Sequence, residues 1–212
     1  GVDADRVFEV KKSVDTRRMN AYVNGFGTTK QIVLFDTLVK NAEPREILSV
    51  VGHEIGHYVL NHLIWGTLVA WLVTSLGLWV IHVSVPRVMA LFPDRFGARG
   101  LGDPAILPLA LLIAHGFFVV ANPLGLAVSR TIEHEADRFA IEITRDNEAV
   151  MTMTAKFVQK DLAYPRPATW VTWLRRSHPS PGDRFDFAKR YRPWESGNPL
   201  RYETYFRIGG GK

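Results

Sequence analysis

Two stretches without a charged residue limit the folds open to this chain more than anything else in it. From Leu63 to Val85 there is no Lys, Arg, Asp or Glu and one His, and from Ala105 to Ser129 there is again no charge and one His. A helix rises 1.5 Å per residue, so roughly 20 residues cross a hydrocarbon core of about 30 Å, and each stretch is long enough to do so. Both are internal and longer than the apolar region of a signal peptide. The sequence therefore predicts two transmembrane helices forming a hairpin, with both outer ends on the same side of the bilayer. Trp65, Trp71 and Trp79 suit span ends at the membrane interface. The alternative is a pair of buried core helices in a soluble fold.

The average composition conceals this segregation: 47% hydrophobic residues coexist with a mean hydropathy of -0.01. The absence of cysteine excludes a disulfide framework, a thiolate metal site and a cysteine nucleophile, and is compatible with a reducing compartment. A net charge of +5 is mild, and a basic membrane-facing surface accounts for it; no basic patch interleaved with aromatics points to nucleic acid. The loop predicted between the spans, Pro86 to Pro104, carries Arg87, Arg95 and Arg99, whereas Arg45, Arg130, Arg138 and Arg145 flank the other ends. This small excess places the outer ends in the cytosol under the positive-inside rule.

Around the hairpin the pattern changes. The stretches Arg6–Lys12, Asn20–Gly27 and Lys30–Phe35 are short and β-rich, separated by polar or turn-forming residues, and predict a small β-meander. Pro44 and Glu46 mark a helix start, after which Ile47, Val51, Ile55 and Val59 recur on one face. An amphipathic helix is expected over "SRTIEHEADRFAIEIT", another over 148–163, and a last one beginning at Ser180 with Pro181 in its first position. "ATWVTWLRR" reads equally as an interfacial helix or a packed corner. The missing initial Met and the terminal "GGGK" lead us to expect a fragment with a flexible tail.

The helix starting at Pro44 carries "HEIGH" directly before the first span. Residues four apart share a helical face, so His53 and His57 can direct two imidazoles at one ion, and neutral imidazole suits Zn²⁺. Glu54 is then placed to reach water at an open position on that ion. The five residues alone also describe two solvated histidines and a carboxylate on a surface helix. A hydrolytic site needs a third protein ligand. The best candidates are Glu133 and Asp137, again four apart, one to ligate and the other to accept the outer N–H of a ligand histidine. His134 and Glu135 are rival ligands on other faces of that helix. In this arrangement the first span continues the ligand helix and the hairpin returns the chain to deliver the third ligand. His62 falls off the ligand face and reads as solvated or interfacial. His82 falls near a span end, and His115 lies mid-span, where a neutral imidazole bonded to a neighbouring helix is expected. Arg130 and Arg184 are candidate partners for Asp137 or for substrate carbonyls, with surface charge the safer reading for Arg184.

Four motifs in order, "NAYVNGFG…QIVLFDTLV", "HEIGHYVLNH", "SRTIEHEAD" and "SHPSPGDRFDFAKRY", resemble the CAAX prenyl protease type I family of integral-membrane zinc metallopeptidases, which are gluzincins. The resemblance runs from about Val10 to Tyr191. It implies an α+β, mainly α fold: a zinc metallopeptidase domain with a small N-terminal β-meander and a two-helix transmembrane hairpin inserted between the HExxH helix and the ExxxD helix. The expected organisation is residues 1–62 and 130–212 as the two halves of the catalytic domain, with 63–129 as the hairpin.

The same resemblance implies one Zn²⁺ held by His53, His57 and Glu133, with Glu54 as catalytic base and Asp137 as a supporting partner. It also implies that His178 stabilises the transition state and that Asn20, Ala21 and Tyr22 line the cleft and bind substrate. Family members carry further membrane helices before this region. The expected activity is hydrolysis of peptide or protein substrates at the bilayer, among them proteins prenylated at the C terminus. A heat-shock-type protease that degrades misfolded membrane proteins has a similar site and is the alternative. A non-catalytic zinc-binding scaffold would have no need of Glu54 or an open coordination position.

Overall fold

A computed structural model describes residues 4–25, 29–92, 95, 97–98, 100 and 102–206. The end of the Asn20–Gly27 stretch, Arg99 and the C-terminal "GGGK" lie outside the described residues.

Three strands form the expected small sheet: β1 (Val7–Val10), β2 (Ala21–Asn24) and β3 (Gln31–Phe35). Their order is β1-β3-β2, with β1 parallel and β2 antiparallel to β3, so the connectivity is not that of a meander. The cause lies between β1 and β2. Backbone N–H groups of Lys12 and Ser13 both donate to Asp36 Oδ1, at 2.9 and 2.8 Å, which draws the chain across the end of β3 instead of letting it turn back beside β1. That leaves β2 as an edge strand facing the helices. Helix α1 (Asp36–Asn41) follows β3 directly.

Helix α2 (Pro44–Val59) starts with Pro44 in its first turn and a capping box, in which the Glu43 N–H donates to Glu46 Oε2 at 2.7 Å. Its apolar face, including Ile47, Val51 and Ile55, packs on a core of Met19, Ala21, Ile32, Leu34 and Leu38 from the sheet side. Helix α3 (His62–Leu91) does not continue α2. Asn61 adopts a left-handed conformation, φ 56°, and breaks the two apart. Asn is one of the few residues that tolerates this geometry.

The second apolar stretch behaves in the opposite way. Helix α4 runs unbroken from Leu107 to Thr144, so the second span and the ExxxD segment are one rod. Only 11% of the most apolar window of α3, and 6% of that of the second helix, is buried within the protein. Core helices of a soluble fold would be buried all round. Among the described residues, two helices are long and apolar enough to cross a membrane. Helix α3 also extends through Pro86 into the predicted loop. His115 and His82 are exposed on the outer surface of the pair, so His115 does not show the expected burial against a neighbouring helix.

Close approach of α2 and α4 depends on two glycines. A Cβ on Gly56 would lie 3.1 Å from Phe139 Cβ and 3.2 Å from Ala136 Cα, and one on Gly52 would lie 3.3 Å from Ala140 Cα. Each glycine immediately precedes a histidine of the motif, so the contact that brings the helices together also presents both imidazoles to α4. Gly56→Ala is expected to cost about 1–3 kcal/mol through overpacking. Thermal unfolding in detergent checks this, and an unchanged transition would contradict the packing described.

The rest of the chain closes over α4. Helix α5 (Asn147–Asp161) is capped by Asp146, and α7 (Pro181–Arg190) by Ser180, whose Oγ accepts from the Asp183 N–H. Helix α6 (Thr169–Arg175) docks beside α4, where Arg130 donates to the carbonyls of Thr172 and Arg176 at 3.1 and 2.8 Å. Arg130 thus serves the chain's own backbone and not Asp137. Trp170 and Trp173 on α6 remain exposed. Buried Glu142 accepts from the Tyr202 N–H at 2.8 Å and from the Tyr191 hydroxyl, which holds the segment leading to α8 (Glu203–Phe206) against α4.

Candidate active site

The two motif histidines converge as their spacing requires. His53 Nε2 lies 3.0 Å from His57 Nε2, and Glu133, reaching across from α4, places Oε2 3.4 Å from His53 Nε2 and Oε1 3.7 Å from His57 Nε2. Ligands about 2.0–2.1 Å from a tetrahedral Zn²⁺ stand about 3.3 Å apart, so the triangle has the dimensions of a zinc site. Among the described residues, these three form the group able to hold a metal ion. Two nitrogens and one carboxylate leave a fourth position for water or substrate, as hydrolytic sites require.

The rival ligands are turned away. The His134 ring packs against Phe187 with centroids 4.3 Å apart, and Glu135 pairs with Arg138 at 3.0 Å and accepts from the Tyr202 hydroxyl. Asp137 takes the supporting position: its Oδ1 lies 2.9 Å from His53 Nδ1, the nitrogen that points away from the triangle. Arg184 grips the same carboxylate with two bonds, Nε to Oδ2 at 2.8 Å and Nη2 to Oδ1 at 2.6 Å. Arg184 is therefore part of the site and not surface charge. Nothing local in the sequence signals this, because α7 brings it to Asp137 from 47 positions away.

Electrostatics separate the roles of the groups on α2. Burial would lower the His53 imidazole, but the Asp137 and Glu133 carboxylates outweigh it and hold the pKa up at about 9. Burial and the neighbouring His53 push His57 down to about 4. Burial, reinforced by the Glu133 charge, raises the Glu54 carboxyl, while the His53 charge and a bond from the Val23 N–H oppose the shift. A carboxylate moved toward neutrality and set next to a metal ligand is suited to shuttling a proton.

Glu54 also sits where two cavities meet. One, of about 640 Å³, is bounded by His53, Glu133, His178, Arg184 and Asn20. The other, of about 950 Å³, is mainly apolar and is lined by Tyr22, Val23, His57, Tyr58, Leu63 and Ile64. Strand β2 runs along both. The Phe35 N–H donates to the Asn20 carbonyl at 3.0 Å, so ladder alternation turns the backbone groups of Ala21 and Val23 outward, into the cleft. The structure thus gathers Asn20, Ala21 and Tyr22 along the cleft wall. His178 lies at the rim, its side chain 58% exposed, with Nε2 3.3 Å from Glu133 Oε2 and Nδ1 2.9 Å from Ser177 Oγ. A further histidine, His62, lies against His57, with the two Nδ1 atoms 3.0 Å apart. An i, i+5 pair on one continuous helix would face about 140° apart, so the sequence reading puts His62 off the ligand face; the break at Asn61 brings it back.

Comparison with known proteins identifies the family and the fold. The model of peptidase family M48 matches residues 1–192. The chain is similar to the uncharacterized metalloprotease YhfN of Bacillus subtilis, 37% identical over 189 residues, covering 89% of this chain and 44% of that protein. It is also similar to CAAX prenyl protease 1 of Saccharomyces cerevisiae, 33% identical over 157 residues, covering 66% of this chain and 34% of that one. The crystal structure of S. mikatae Ste24p shares the fold with a TM-score of 0.72 and 25% identity, over 88% of this chain and 46% of the other. The chain spans less than half the length of each of these proteins. Matched by one family model along nearly all its length, and folded like the Ste24p crystal structure, it belongs to peptidase family M48, with CAAX prenyl proteases of type I among its relatives.

Proposed function

We propose that the chain carries the catalytic site of an integral-membrane zinc endopeptidase, its two halves, 1–62 and 130–212, meeting above the hairpin 63–129. The carrying observation is the His53–His57–Glu133 triangle with Glu54 beside it, opening onto the edge strand β2. His53, His57 and Glu133 would hold the ion. When bound, zinc supplies Lewis-acid polarisation of the scissile carbonyl and acidifies water at its open position.

The remaining work falls to the chain. Asp137, fixed by Arg184, accepts the His53 Nδ1–H and so keeps the lone pair of Nε2 directed into the triangle. Glu54 takes a proton from the attacking water and passes it to the leaving amine. His178 donates a hydrogen bond to the oxyanion that develops on the substrate. The peptide adds as a strand along the outward edge of β2, beside Asn20, Ala21 and Tyr22, where backbone pairing gives affinity with little demand on sequence. The apolar cavity at Tyr58, Leu63 and Ile64 receives a hydrophobic side chain next to the scissile bond. The small excess of arginines flanking the outer ends of the spans favours a cytosolic orientation for this side.

The testing experiment measures zinc content and cleavage of a fluorogenic peptide, prenylated and plain, by the protein in detergent. Binding of one zinc with cleavage supports the proposal, and zinc binding without cleavage of either peptide counts against it. Preference for the prenylated peptide assigns a CAAX-type substrate, and equal cleavage assigns membrane-protein quality control. His178→Ala is expected to lower kcat by about 10²-fold with zinc content unchanged. Loss of zinc in this variant would make His178 a ligand instead.

A further inference from the structure

We infer that His62 is a positioning residue for the second metal ligand, accepting the Nδ1–H of His57 and thereby fixing the tautomer in which His57 can bind zinc. The inference rests on the metallopeptidase reading above.

Two histidines of the site each have one nitrogen turned into the triangle and one turned away. His57 Nε2 faces His53 and Glu133, so it must carry a lone pair to ligate. Its proton then sits on Nδ1, which lies 3.0 Å from His62 Nδ1. A hydrogen bond between these atoms requires one donor and one acceptor. With His57 as donor, His62 offers its own lone pair at Nδ1 and carries its proton on Nε2. The reverse arrangement would place the His57 proton on Nε2, inside the triangle, and block coordination. The rings stand 75° apart with centroids at 5.1 Å, and the approach of the two Nδ1 atoms has the geometry of a hydrogen bond.

The fold builds this contact deliberately in its backbone. His62 is the first residue of α3, and the left-handed Asn61 rotates it out of the helical path of α2 and back over His57. His53 has a charged counterpart for the same task, Asp137, itself held by Arg184. The two ligands are therefore oriented by partners of different charge, a carboxylate for His53 and a neutral imidazole for His57.

Zinc affinity, measured by chelator competition on the purified protein, tests the idea without relying on proteolysis. His62→Leu removes the acceptor and is expected to weaken zinc binding by 10–100-fold. His62→Asn places an amide oxygen where the Nδ1 lone pair was, and is expected to recover the affinity to within about threefold of the original protein. The cobalt-substituted His62→Leu protein should also show a shifted ligand-field spectrum. If His62→Leu and His62→Asn bind zinc as tightly as the original, or are weakened equally, the positioning role is wrong. His53→Ala serves as reference: loss of zinc there with no effect at His62 defeats only this inference, whereas retention of zinc in His53→Ala defeats the metal-site reading itself.

Discussion

Glu54→Gln is expected to reduce peptide hydrolysis by about 10³-fold while the protein still binds one zinc. The amide has nearly the shape of the carboxylate, so His53 and His57 on either side keep their positions, and only the capacity to take and return a proton is lost. General acid–base groups contribute roughly 10²–10⁴-fold. The middle of that range, and not its low end, applies because burial has already raised the Glu54 carboxyl and because the same group acts twice, on the water and on the leaving amine. Paired measurement of zinc content and kcat checks it. Activity within tenfold of the original would show that another group moves the proton.

Asp137→Ala should show the largest effect on stability. Asp137 is 4% exposed, and its removal strands the Arg184 guanidinium and the outer N–H of His53 together. Breaking a buried charge pair from one side costs about 3–5 kcal/mol. In a domain of this size the lower figure moves the unfolding midpoint by about 6–12 °C. Zinc affinity should fall by a further 10–100-fold, because His53 is no longer held in its ligating tautomer. The double variant with Arg184→Ala separates the two effects: stability should partly recover, since no buried charge remains unpaired, but zinc affinity should not. Equal losses in single and double variants would mean that Arg184 does not depend on Asp137.

The sequence reveals what is local and repetitive. Spacings of four put His53 with His57 and Glu133 with Asp137, and two long charge-free runs announce α3 and the apolar part of α4. Capping by Ser180 and the start at Pro44 are visible for the same reason, since each depends on residues within one turn. What stays hidden is set by contacts between distant segments. Strand order follows from Asp36 capturing Lys12 and Ser13, which no periodicity encodes. Arg184 looks like any charged residue of a helix until α7 packs beside α4. Asn61 is the instructive case: one residue with positive φ separates the ligand helix from the span and changes the meaning of His62.

The unbroken helix α4 acts as a ruler. From Leu107, where the apolar run of α4 begins, to Glu133 is about 39 Å of helix, and a hydrocarbon core takes up about 30 Å of it. If the slab begins at Leu107, Glu133, the proposed third ligand, would stand about 9 Å above it, and less if the helix tilts. An extended chain rises about 3.3 Å per residue, so a bond reaching the site lies roughly three residues from the point where its own chain leaves the lipid. Under the proposed function, height above the bilayer, counted out in helical turns, would select which peptide bonds of a membrane-anchored chain come within reach.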